Sequence, residues 1–295
     1  MDAYDIAQAQ DIIAAAERAD GHRPMSDHLW LDLAEGGRPG FAGLVAWEFG
    51  HDHPVAYCQV SRGNTSWAIE LVVHPHHRYD MAVIGPELIE AALNVIAGEG
   101  GGHVNWWVFE PTPMHYELGM RFNLAPTRKL YQLRCHLPLP AEVIAATNPI
   151  TTEAFVPGRD DSQWLAANNA AFVEHPEQGN WDLGTLKSRQ NQPWFNAAGF
   201  RIYCANGKIK GFCWTKEHRD VTPAMGEIYV IGVVPGEGGK GLGRSLTVDG
   251  LQHIHACGIN IGMLYVDSDN EPARRLYKSL GFEIHRTDVA FTGDI

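Results

Sequence analysis

Short apolar runs alternate with longer stretches of mixed polarity along the chain. The runs Leu71–Val73 and Ile231–Val234 each stop at or next to an x-Pro pair, and their length is typical of a buried strand. Gly241–Cys257 and Asn270–Gly281 have the length and end residues of helices, and Gly21 marks the end of a first helix. In each half the order is helix, strands, central strand, helix, strand, helix and strand. This order predicts an α/β fold with helices covering a mixed sheet.

The two halves of the chain repeat one another. Three ordered pairs of segments match: Leu71–Pro75 with Ile231–Pro235, Tyr116–Met120 with Tyr277–Phe282, and Phe41–Trp47 with Ile209–Trp214. The matched segments are 160, 162 and 168 positions apart. Since self-similarity of this kind marks a repeated structural unit, we expect two copies of one fold.

A proline-containing stretch separates the copies. Residues 137–149 contain three prolines and little periodicity, and proline neither donates to a ladder nor lets its predecessor continue a helix easily. We therefore predict an N-terminal domain over residues 1–139, a linker over 140–149 and a C-terminal domain over 150–295.

Composition is that of an ordinary globular protein. Hydrophobic residues make up 45% and charged residues 20% of the 295 residues, and two domains are expected at this length. The formal net charge of −12 repels phosphate backbones, so nucleic acid is not an expected partner. A small molecule, including a cationic one, is an acceptable ligand.

The apolar runs considered, such as Ile228–Val234, are far shorter than the roughly 20 residues of a membrane span. Met1–Asp5 lacks the basic and apolar regions of a signal peptide. The five cysteines are odd in number and contain no Cys-x-x-Cys pair, which argues against a disulfide framework and a zinc knuckle. We expect a cytoplasmic monomer with buried thiols and no membrane partner.

Three histidines, His74, His76 and His77, stand close together in the N-terminal half. Neither a carboxylate nor a cysteine has ligand-like spacing around them. We therefore expect a surface loop here and no metal.

Glycines concentrate between Pro235 and Arg244, directly after a strand and before a helix. Backbone N–H groups of glycine can approach a pyrophosphate, and the start of a helix adds partial positive charge. The segment is thus a candidate phosphate cradle, with a flexible turn as the alternative. It lacks the Gly-Lys-Ser/Thr of a P-loop, and its place in the chain does not suit a dinucleotide fingerprint.

This loop resembles the acetyl-CoA pyrophosphate loop of the GNAT superfamily of N-acetyltransferases, which reads Gln/Arg-x-x-Gly-x-Gly/Ala. Gly238 replaces the Gln or Arg of that pattern, so one side-chain contact is absent while the backbone cradle is kept. The second superfamily signature, Asn-x-x-Ala-x-x-x-Tyr-x-x-x-Gly-Phe, is matched by Asn270, Ala273, Tyr277, Gly281 and Phe282. The resemblance implies two tandem GNAT domains, each a mixed, mostly antiparallel central sheet flanked by helices.

A narrower resemblance covers nearly the whole chain. The segments similar to the mycothiol synthase family are Asn168–Phe172, His175–Trp181, Gly211–Lys216, Gly226–Val233 and Leu264–Asn270. Enzymes of that family are tandem GNAT proteins that acetylate the cysteinyl amine of desacetylmycothiol with acetyl-CoA, the last step of mycothiol biosynthesis. The resemblance implies the same reaction here.

Two residues of the C-terminal copy are candidates for catalysis. Glu227 lies six residues before Val233 on the central strand, where a carboxylate can accept the amine proton directly or through water. An α-amine has a reference pKa of about 8, so a modest base suffices. Tyr277, on the later helix, can protonate the departing CoA thiolate. The alternatives are a solvated strand-end glutamate and an ordinary core tyrosine.

The resemblance also implies two sets of binding residues. Acetyl-CoA is expected to contact Ile231, Gly232, Val233, Gly238, Gly239, Lys240, Gly241, Leu242, Gly243, Arg244, Asn270, Glu271, Ala273, Arg274 and Arg275. The acceptor is expected to contact Asp27, Glu177, Lys216, Glu227 and Tyr265, whose charged and hydrogen-bonding groups suit sugar hydroxyls. A plain surface position is the alternative for Asp27.

The N-terminal copy lacks parts of this machinery. Its loop after Val73 holds a single glycine, Gly85, and Trp67 occupies the position six residues before Val73. Glu70 is displaced by three positions, and strand alternation places it on the face opposite Trp67. We expect a degenerate domain that binds acetyl-CoA weakly through Leu71, Val72 and Val73 or only supports its partner.

Two other functions fit the same residues. A GNAT enzyme could acetylate a polyamine, an aminoglycoside or a protein amine, since an acidic chain suits a cationic acceptor. A non-catalytic acyl-CoA sensor is the third hypothesis. Retention of both Glu227 and Tyr277 in the C-terminal copy argues against the sensor.

Overall fold

The structure is a computed structural model that describes residues 1–37, 39–48, 53–63, 65–173 and 178–295, without the side chains of Asp27 and His28. The chain separates into two compact units. The first comprises Met1–Tyr131, Asp267–Asp269 and Arg286–Ile295, and the second comprises Gln132–Val266 and Asn270–His285.

Eleven strands and nine α-helices are present in the described residues. The N-terminal half contains α1 (Ala3–Asp20), α2 (Asp27–Ala34), β1 (Phe41–Trp47), β2 (Pro54–Arg62), β3 (Trp67–Val73), a 3₁₀ helix (Pro75–Asp80), α3 (Met81–Gly98), β4 (His103–Phe109), α4 (Pro113–Arg121) and β5 (Ala125–His136). The C-terminal half contains α5 (Ala141–Ala145), β6 (Glu153–Ala154), α6 (Asp161–Ala171), α7 (Leu183–Gln190), a 3₁₀ helix (Ala197–Gly199), β7 (Phe200–Ala205), β8 (Lys208–His218), β9 (Met225–Val233), α8 (Leu242–Ala256), β10 (Ile261–Asp267), α9 (Glu271–Ser279) and β11 (Glu283–Asp294).

Local signals explain the helix ends. Asp2 and Asp5 form a capping box at the start of α1, and Gly21 ends the helix with a φ of 73°, a left-handed conformation that glycine adopts without steric cost. Asn270 caps α9 by accepting a hydrogen bond from the N–H of Ala273. The predictions for the end of the first helix and for the two later helices are therefore confirmed to within two residues.

The sheet of the first unit has the strand order β1-β2-β3-β4-β11, followed by the first part of β5. β3 and β4 run parallel, and their described ladder joins only Trp67–Ile69 to Val104–Trp106; the strands then diverge. Helix α3 packs on one face through residues such as Ile89, and α1 packs on the other through residues such as Ile12. Both faces are thus buried by helices.

The second unit repeats this arrangement in the order β5-β10-β9-β8-β7-β6, with the last part of β5 at the edge. The described parallel ladder of β9 and β10 joins only Gly226 and Glu227 to Gly262 and Met263. Beyond this point β9 and β10 separate, as β3 and β4 do. Each unit is a mixed, mostly antiparallel sheet with helices on it, as the sequence predicts.

The central strand β9 carries a β-bulge that β3 lacks. Trp214 pairs with Val230 and Thr215 with Ile228, which leaves Tyr229 as the extra residue. The register of β2 with β3, by contrast, is continuous from Arg62 to Ala56. A bulge changes the face of the sheet to which the following side chains point. The side chains before and after Tyr229 therefore do not follow one continuous alternation along β9.

The contact-defined units differ from the predicted ranges 1–139 and 150–295. In the first unit β11 pairs antiparallel with β4, from Asp288 opposite Phe109 to Asp294 opposite His103. The last ten residues of the chain therefore belong to the unit that also contains its start.

The proline-containing stretch is a packed segment rather than an open linker. It forms the short helix α5, and its residues bind α8: Arg244 Nε donates to Thr147 Oγ1 at 3.0 Å, and Ser245 Oγ donates to the Asn148 carbonyl at 2.7 Å. Leu137 and Leu139 are buried. Proline content indicated the break in periodicity but not this packing.

One of the three sequence matches joins non-equivalent strands. Phe41–Trp47 is β1, whereas Ile209–Trp214 lies in β8. β8 adjoins the central strand β9, and the strand adjoining β3 is β2. The counterpart of β1 is therefore β7. This explains why the spacing of this match, 168 positions, differs from the 160 and 162 positions of the other two.

Among the described residues, one helical segment, Pro75–Gly98, is long and apolar enough to cross a membrane by length and composition alone. The strand-length apolar runs of the sequence did not indicate it. Leu88, Ile89, Leu93 and Ile96 of this segment belong to the core of the first unit, and core helices commonly pass this test. Absence of a membrane partner, a monomeric state and a cytoplasmic location stay predictions.

All five cysteines are free thiols. Cys58, Cys135 and Cys213 are buried as expected, and burial raises the pKa of Cys135 to about 12. Cys257 is half-buried and Cys204 is exposed, so the expectation of buried thiols is wrong for Cys204, which lies at a register shift between β7 and β8.

Candidate active site

Glu227 lies where β9 and β10 begin to separate. It pairs with Lys216 of β8 on one side and with Met263 of β10 on the other. Its neighbour Gly226 packs against Ile254 of α8 so closely that a β-carbon would not fit, and alternation turns Glu227 to the opposite face. The carboxylate is only 7% exposed. The structure therefore holds a nearly buried acid at the opening of the splayed strands.

A histidine that the sequence pattern did not indicate contacts this acid. Nε2 of His218, at the end of β8, lies 2.7 Å from Oε2 of Glu227. One sequence signal could have identified it: Lys216 and His218 stand two positions apart at the end of β8, so strand alternation puts both side chains on one face.

Lys216 is 7% exposed, and its Nζ lies 4.8 Å from the ring centre of Trp194 and 5.5 Å from that of Tyr229. Aromatic faces attract a cation, most strongly where water is excluded. The structure thus brings together a buried cation and the carboxylate of Glu227 on neighbouring strands, at two of the five positions predicted to contact the acceptor.

Of the three other residues predicted to contact the acceptor, only Tyr265 has a described side chain. Tyr265 lies two residues beyond Met263 on β10 and is 37% exposed, and its hydroxyl accepts a hydrogen bond from Gln132 Nε2 at 2.9 Å. Asp27 begins α2, and its side chain lies outside the described part of the chain. Glu177 also lies outside the described residues.

Ile231, Gly232 and Val233 form the end of β9 beyond its described ladder with β10. On that side their backbone groups face the gap between the separated strands. Gly232 packs against the ring of Phe212 with no room for a β-carbon. This strand end offers backbone donors and acceptors to an extended ligand such as pantetheine.

The glycine-rich loop ends at the start of α8. Gly236, Gly239 and Gly241 have positive φ values of 87°, 77° and 80°, and no side chain caps α8. The first N–H groups of a helix lack partners within it. The loop thus presents uncapped backbone donors and the positive end of the helix dipole to an anion.

Two charged residues predicted to bind acetyl-CoA make contacts inside the unit. Lys240 Nζ lies 2.8 Å from Oε2 of Glu237, and Lys210 also pairs with that carboxylate at 3.1 Å. These two hydrogen bonds lower the pKa of Glu237. The guanidinium of Arg244 binds Thr147, Ser279 and the Val143 carbonyl. Arg244 therefore anchors α8 to its neighbours.

Helix α9 carries the second signature. Its first turn contains an exposed ion pair between Glu271 and Arg275 at 3.2 Å. A groove of about 580 Å³ is lined by Leu133, Glu271, Arg274, Arg275, Lys278, Phe282, Glu283 and Ile284. Its three cations are a suitable environment for phosphate groups.

Tyr277 is 7% exposed and packs edge-on against Phe282. Burial raises the pKa of Tyr277, and the Cys213 thiol adds to the effect. A tyrosine hydroxyl is protonated at neutral pH in any case, so Tyr277 can act as a hydrogen-bond donor. Both the catalytic and the core interpretation of Tyr277 agree with this burial.

The N-terminal copy has a cavity but a different loop. A cavity of about 340 Å³ lies between the diverging strands, bordered by residues 70–73 of β3 and 106–110 around the end of β4. In place of a glycine-rich loop there is the 3₁₀ helix, whose Arg78 forms a two-pronged ion pair with Asp20 at 2.7 and 2.6 Å. Burial lowers the pKa of His115 in this cavity to about 4, and Arg78 contributes.

Two groups of metal-ligand side chains occur in the described residues. One joins Glu48, His53 and His77, and the other joins Glu217, His253 and Cys257. The first contains a carboxylate that sequence spacing did not indicate, because the fold brings Glu48 close to His77. In the second, Arg219 Nε already donates to Glu217 at 2.6 Å. Absence of a metal stays a prediction.

Comparisons with known proteins identify the family. The model of the Acetyltransferase (GNAT) family matches residues 164–282. A mycothiol acetyltransferase of Frankia alni is 41% identical and the alignment covers 99% of this chain and 92% of that protein. One of Thermobispora bispora is 39% identical over 94% of this chain and 92% of that protein. This chain belongs to the mycothiol acetyltransferase family. It is an acetyl-CoA-dependent N-acetyltransferase.

Solved structures confirm the tandem fold expected for this family. A GCN5-related N-acetyltransferase from Sphaerobacter thermophilus matches with a TM-score of 0.75 at 21% identity, over 99% of this chain and 93% of that one. A tandem GNAT protein from the clavulanic acid biosynthesis pathway matches with a TM-score of 0.69 at 18% identity, over 99% and 95%. The predicted class of fold is correct.

Replacement of Gly243 by valine tests the phosphate cradle. A β-carbon on Gly243 would meet Leu276 at 3.9 Å and Val233 at 4.0 Å, both ordinary van der Waals distances, so the protein has room for it. If the loop is a phosphate cradle, the valine side chain would enter the space that the pyrophosphate needs. We expect the KM for acetyl-CoA to rise by about tenfold or more, or ~1.4 kcal/mol, in steady-state assays of a variant with unchanged Tm. Gly241→Val is less informative because its positive φ makes valine strained.

The control is Gly98→Val in α3, a glycine with open space at its β-position. Its KM for acetyl-CoA should equal that of the parent. An unchanged KM in folded Gly243→Val would exclude the cradle.

Proposed function

We propose that the protein transfers the acetyl group of acetyl-CoA to the cysteinyl amine of desacetylmycothiol, and that the C-terminal copy performs the reaction. The observation that carries this proposal is the nearly buried carboxylate of Glu227 at the opening between β9 and β10. Relatives at 41% and 39% identity that are named mycothiol acetyltransferase support the choice of reaction.

Acetyl-CoA would bind along the end of β9. Backbone groups of Ile231–Val233 would pair with the pantetheine amides, and the uncapped start of α8 would bind the pyrophosphate. The bulge at Tyr229 breaks the regular ladder just before this segment, where an N–H group can polarise the acetyl carbonyl. Arg274 and Arg275 would contribute positive charge from α9.

In the reaction the amine nitrogen attacks the thioester carbonyl carbon. The N–C bond forms, the C–S bond breaks, and the proton of the amine passes to Glu227 directly or through one water. The electron pair of the C–S bond leaves with the CoA sulfur, which receives a proton or a hydrogen bond from Tyr277. The high pKa of that tyrosine favours hydrogen bonding to the thiolate over complete proton transfer.

The acceptor would lie against Lys216 and Tyr265, whose polar groups can bind sugar and inositol hydroxyls. Contacts from Asp27 and Glu177 remain part of the proposal on family resemblance alone. The buried ammonium of Lys216 beside the base disfavours an acceptor with several positive charges, because like charges repel strongly where water is excluded.

The N-terminal copy is proposed to be non-catalytic. Its central strand lacks the bulge, and the arginine of its loop is already paired with Asp20. Leu71–Val73 border the cavity between the strands. The proposal therefore includes weak binding of acetyl-CoA in this cavity.

The acceptor is tested by comparing amines under identical conditions. We expect kcat/KM for desacetylmycothiol to exceed that for spermidine and kanamycin by about 10²-fold or more, because the buried ammonium of Lys216 repels an acceptor with several positive charges. Release of CoA is followed with a thiol reagent after correction for the acceptor's own thiol. Faster turnover of either polycation would favour the alternative of a general small-amine acetyltransferase, and no turnover of any amine would favour the sensor.

A further inference from the structure

His218 and Glu227 form a short hydrogen bond beside the opening of the strands. Their separation is 2.7 Å, the length found when one partner is charged. We propose that His218 is a positioning residue: its Nε2–H donates to Oε2 of Glu227 and leaves Oε1 as the oxygen that receives the amine proton. This inference rests on the proposed function, since it takes Glu227 as the base.

The register of the strands makes this contact possible. Lys216 pairs with Glu227, and His218 pairs with Met225, so His218 is the diagonal neighbour of Glu227 on the same face. Diagonal neighbours in antiparallel strands are within reach of long side chains. The bulge at Tyr229 lies two residues beyond Glu227, so the base and its histidine sit on a regular piece of ladder.

Burial adds to the need for such a partner. The side chain of Glu227 is 9% exposed and that of His218 is 23% exposed. Water reaches the carboxylate poorly, and a carboxylate without fixed hydrogen bonds could take several orientations. One directed bond from a ring held at a strand end selects a single orientation, and effective proton transfer depends on that orientation.

The surrounding charges leave this role to the histidine. Lys216 adds positive charge on the same face, but its Nζ lies against the rings of Trp194 and Tyr229. Glu217, between the two, points to the opposite face and pairs with Arg219. In the described part of the chain, His218 is thus the side chain that forms a direct hydrogen bond with this carboxylate.

Two substitutions separate positioning from folding. In His218→Ala the hydrogen bond is lost, and we expect kcat to fall roughly tenfold to a hundredfold with the KM for acetyl-CoA unchanged. In His218→Gln the side-chain amide can occupy the place of Nε2–H, and kcat should recover to within about threefold of the parent. Circular dichroism and Tm show that each variant is folded.

A double-mutant cycle with Glu227→Gln gives a result that a purely structural role would not produce. If His218 acts through the carboxylate, adding His218→Ala to Glu227→Gln should change kcat less than about twofold, because the group it positions is already gone. An equal loss in both backgrounds would overturn the inference, as would a His218→Gln variant as slow as His218→Ala or a His218→Ala variant as fast as the parent.

The same experiment distinguishes this inference from the proposed function. A parent enzyme that does not acetylate desacetylmycothiol contradicts the proposed acceptor, and the cycle is then measured with the amine that it does acetylate. Full activity of Glu227→Gln contradicts the base and, with it, the role of His218. A slow Glu227→Gln beside an unaffected His218→Ala contradicts the inference alone.

Discussion

Replacing Glu227 by glutamine should lower kcat by about 10²–10⁴-fold, the usual contribution of general base catalysis. Glutamine keeps the size and most of the hydrogen bonding of glutamate but cannot accept the proton. The defect should shrink as the pH rises, because the acceptor amine, with a reference pKa of about 8, is then increasingly neutral before it binds. The measurement is kcat for both enzymes as a function of pH up to about 9.5, well above that pKa.

The matched control is Glu70→Gln in the N-terminal copy. Glu70 is also a strand glutamate and is 1% exposed, so the two substitutions disturb the protein to a similar degree. Turnover of folded Glu70→Gln should change less than about threefold. Equal losses in the two variants, or a Glu227→Gln defect that is undiminished at the highest pH, would show that the base or the active copy is misassigned.

Replacing Asp288 by alanine should lower the free energy of unfolding by about 3–5 kcal/mol, because it leaves the buried guanidinium of Arg286 without its carboxylate. The side chains of Arg286 and Asp288 are 3% and 0% exposed, and they are joined by hydrogen bonds of 2.8 and 3.0 Å. Burial raises the pKa of Asp288, and the guanidinium partly offsets this. Chemical denaturation followed by tryptophan fluorescence measures the loss.

Asp294→Ala is the control on the same strand. Asp294 pairs with His103 at 2.8 Å, but its side chain is 84% exposed, and exposed ion pairs stabilise by only about 0–1 kcal/mol. Its denaturation midpoint should stay close to that of the parent. If both variants lose the same stability, the burial of the Arg286–Asp288 pair is not what stabilises β11.

Sequence reasoning succeeded where the determining interaction is local. Gly21 ends α1 and Asn270 caps α9 through contacts within a few residues, so the sequence signal and the structural cause are the same. The strand before the glycine-rich loop and the loop itself are also local. The position of Glu227 follows from its distance to that loop along one strand.

The parts that sequence reasoning missed depend on how separate strands and segments pair and pack with one another. The bulge at Tyr229 exists only relative to β8, and the contact of His218 with Glu227 depends on the register of β8 with β9, although the two residues are only nine positions apart. The mistaken equivalence of β1 and β8 has the same cause, because similar apolar strands differ only in their neighbours. The burial of residues 137–149 against α8 likewise depends on partners almost a hundred positions away.

The place of β11 affects folding during synthesis on the ribosome. Domains generally fold in the order in which they emerge, yet the first unit includes residues 286–295, which are made only after the residues of the second unit. Until they arrive, the edge of β4 that pairs with Asp288–Asp294 is an open strand edge, and such edges attract other strands. The nascent first unit therefore stays incomplete while the second unit is synthesised, and the open edge of β4 is available to other strands during that interval.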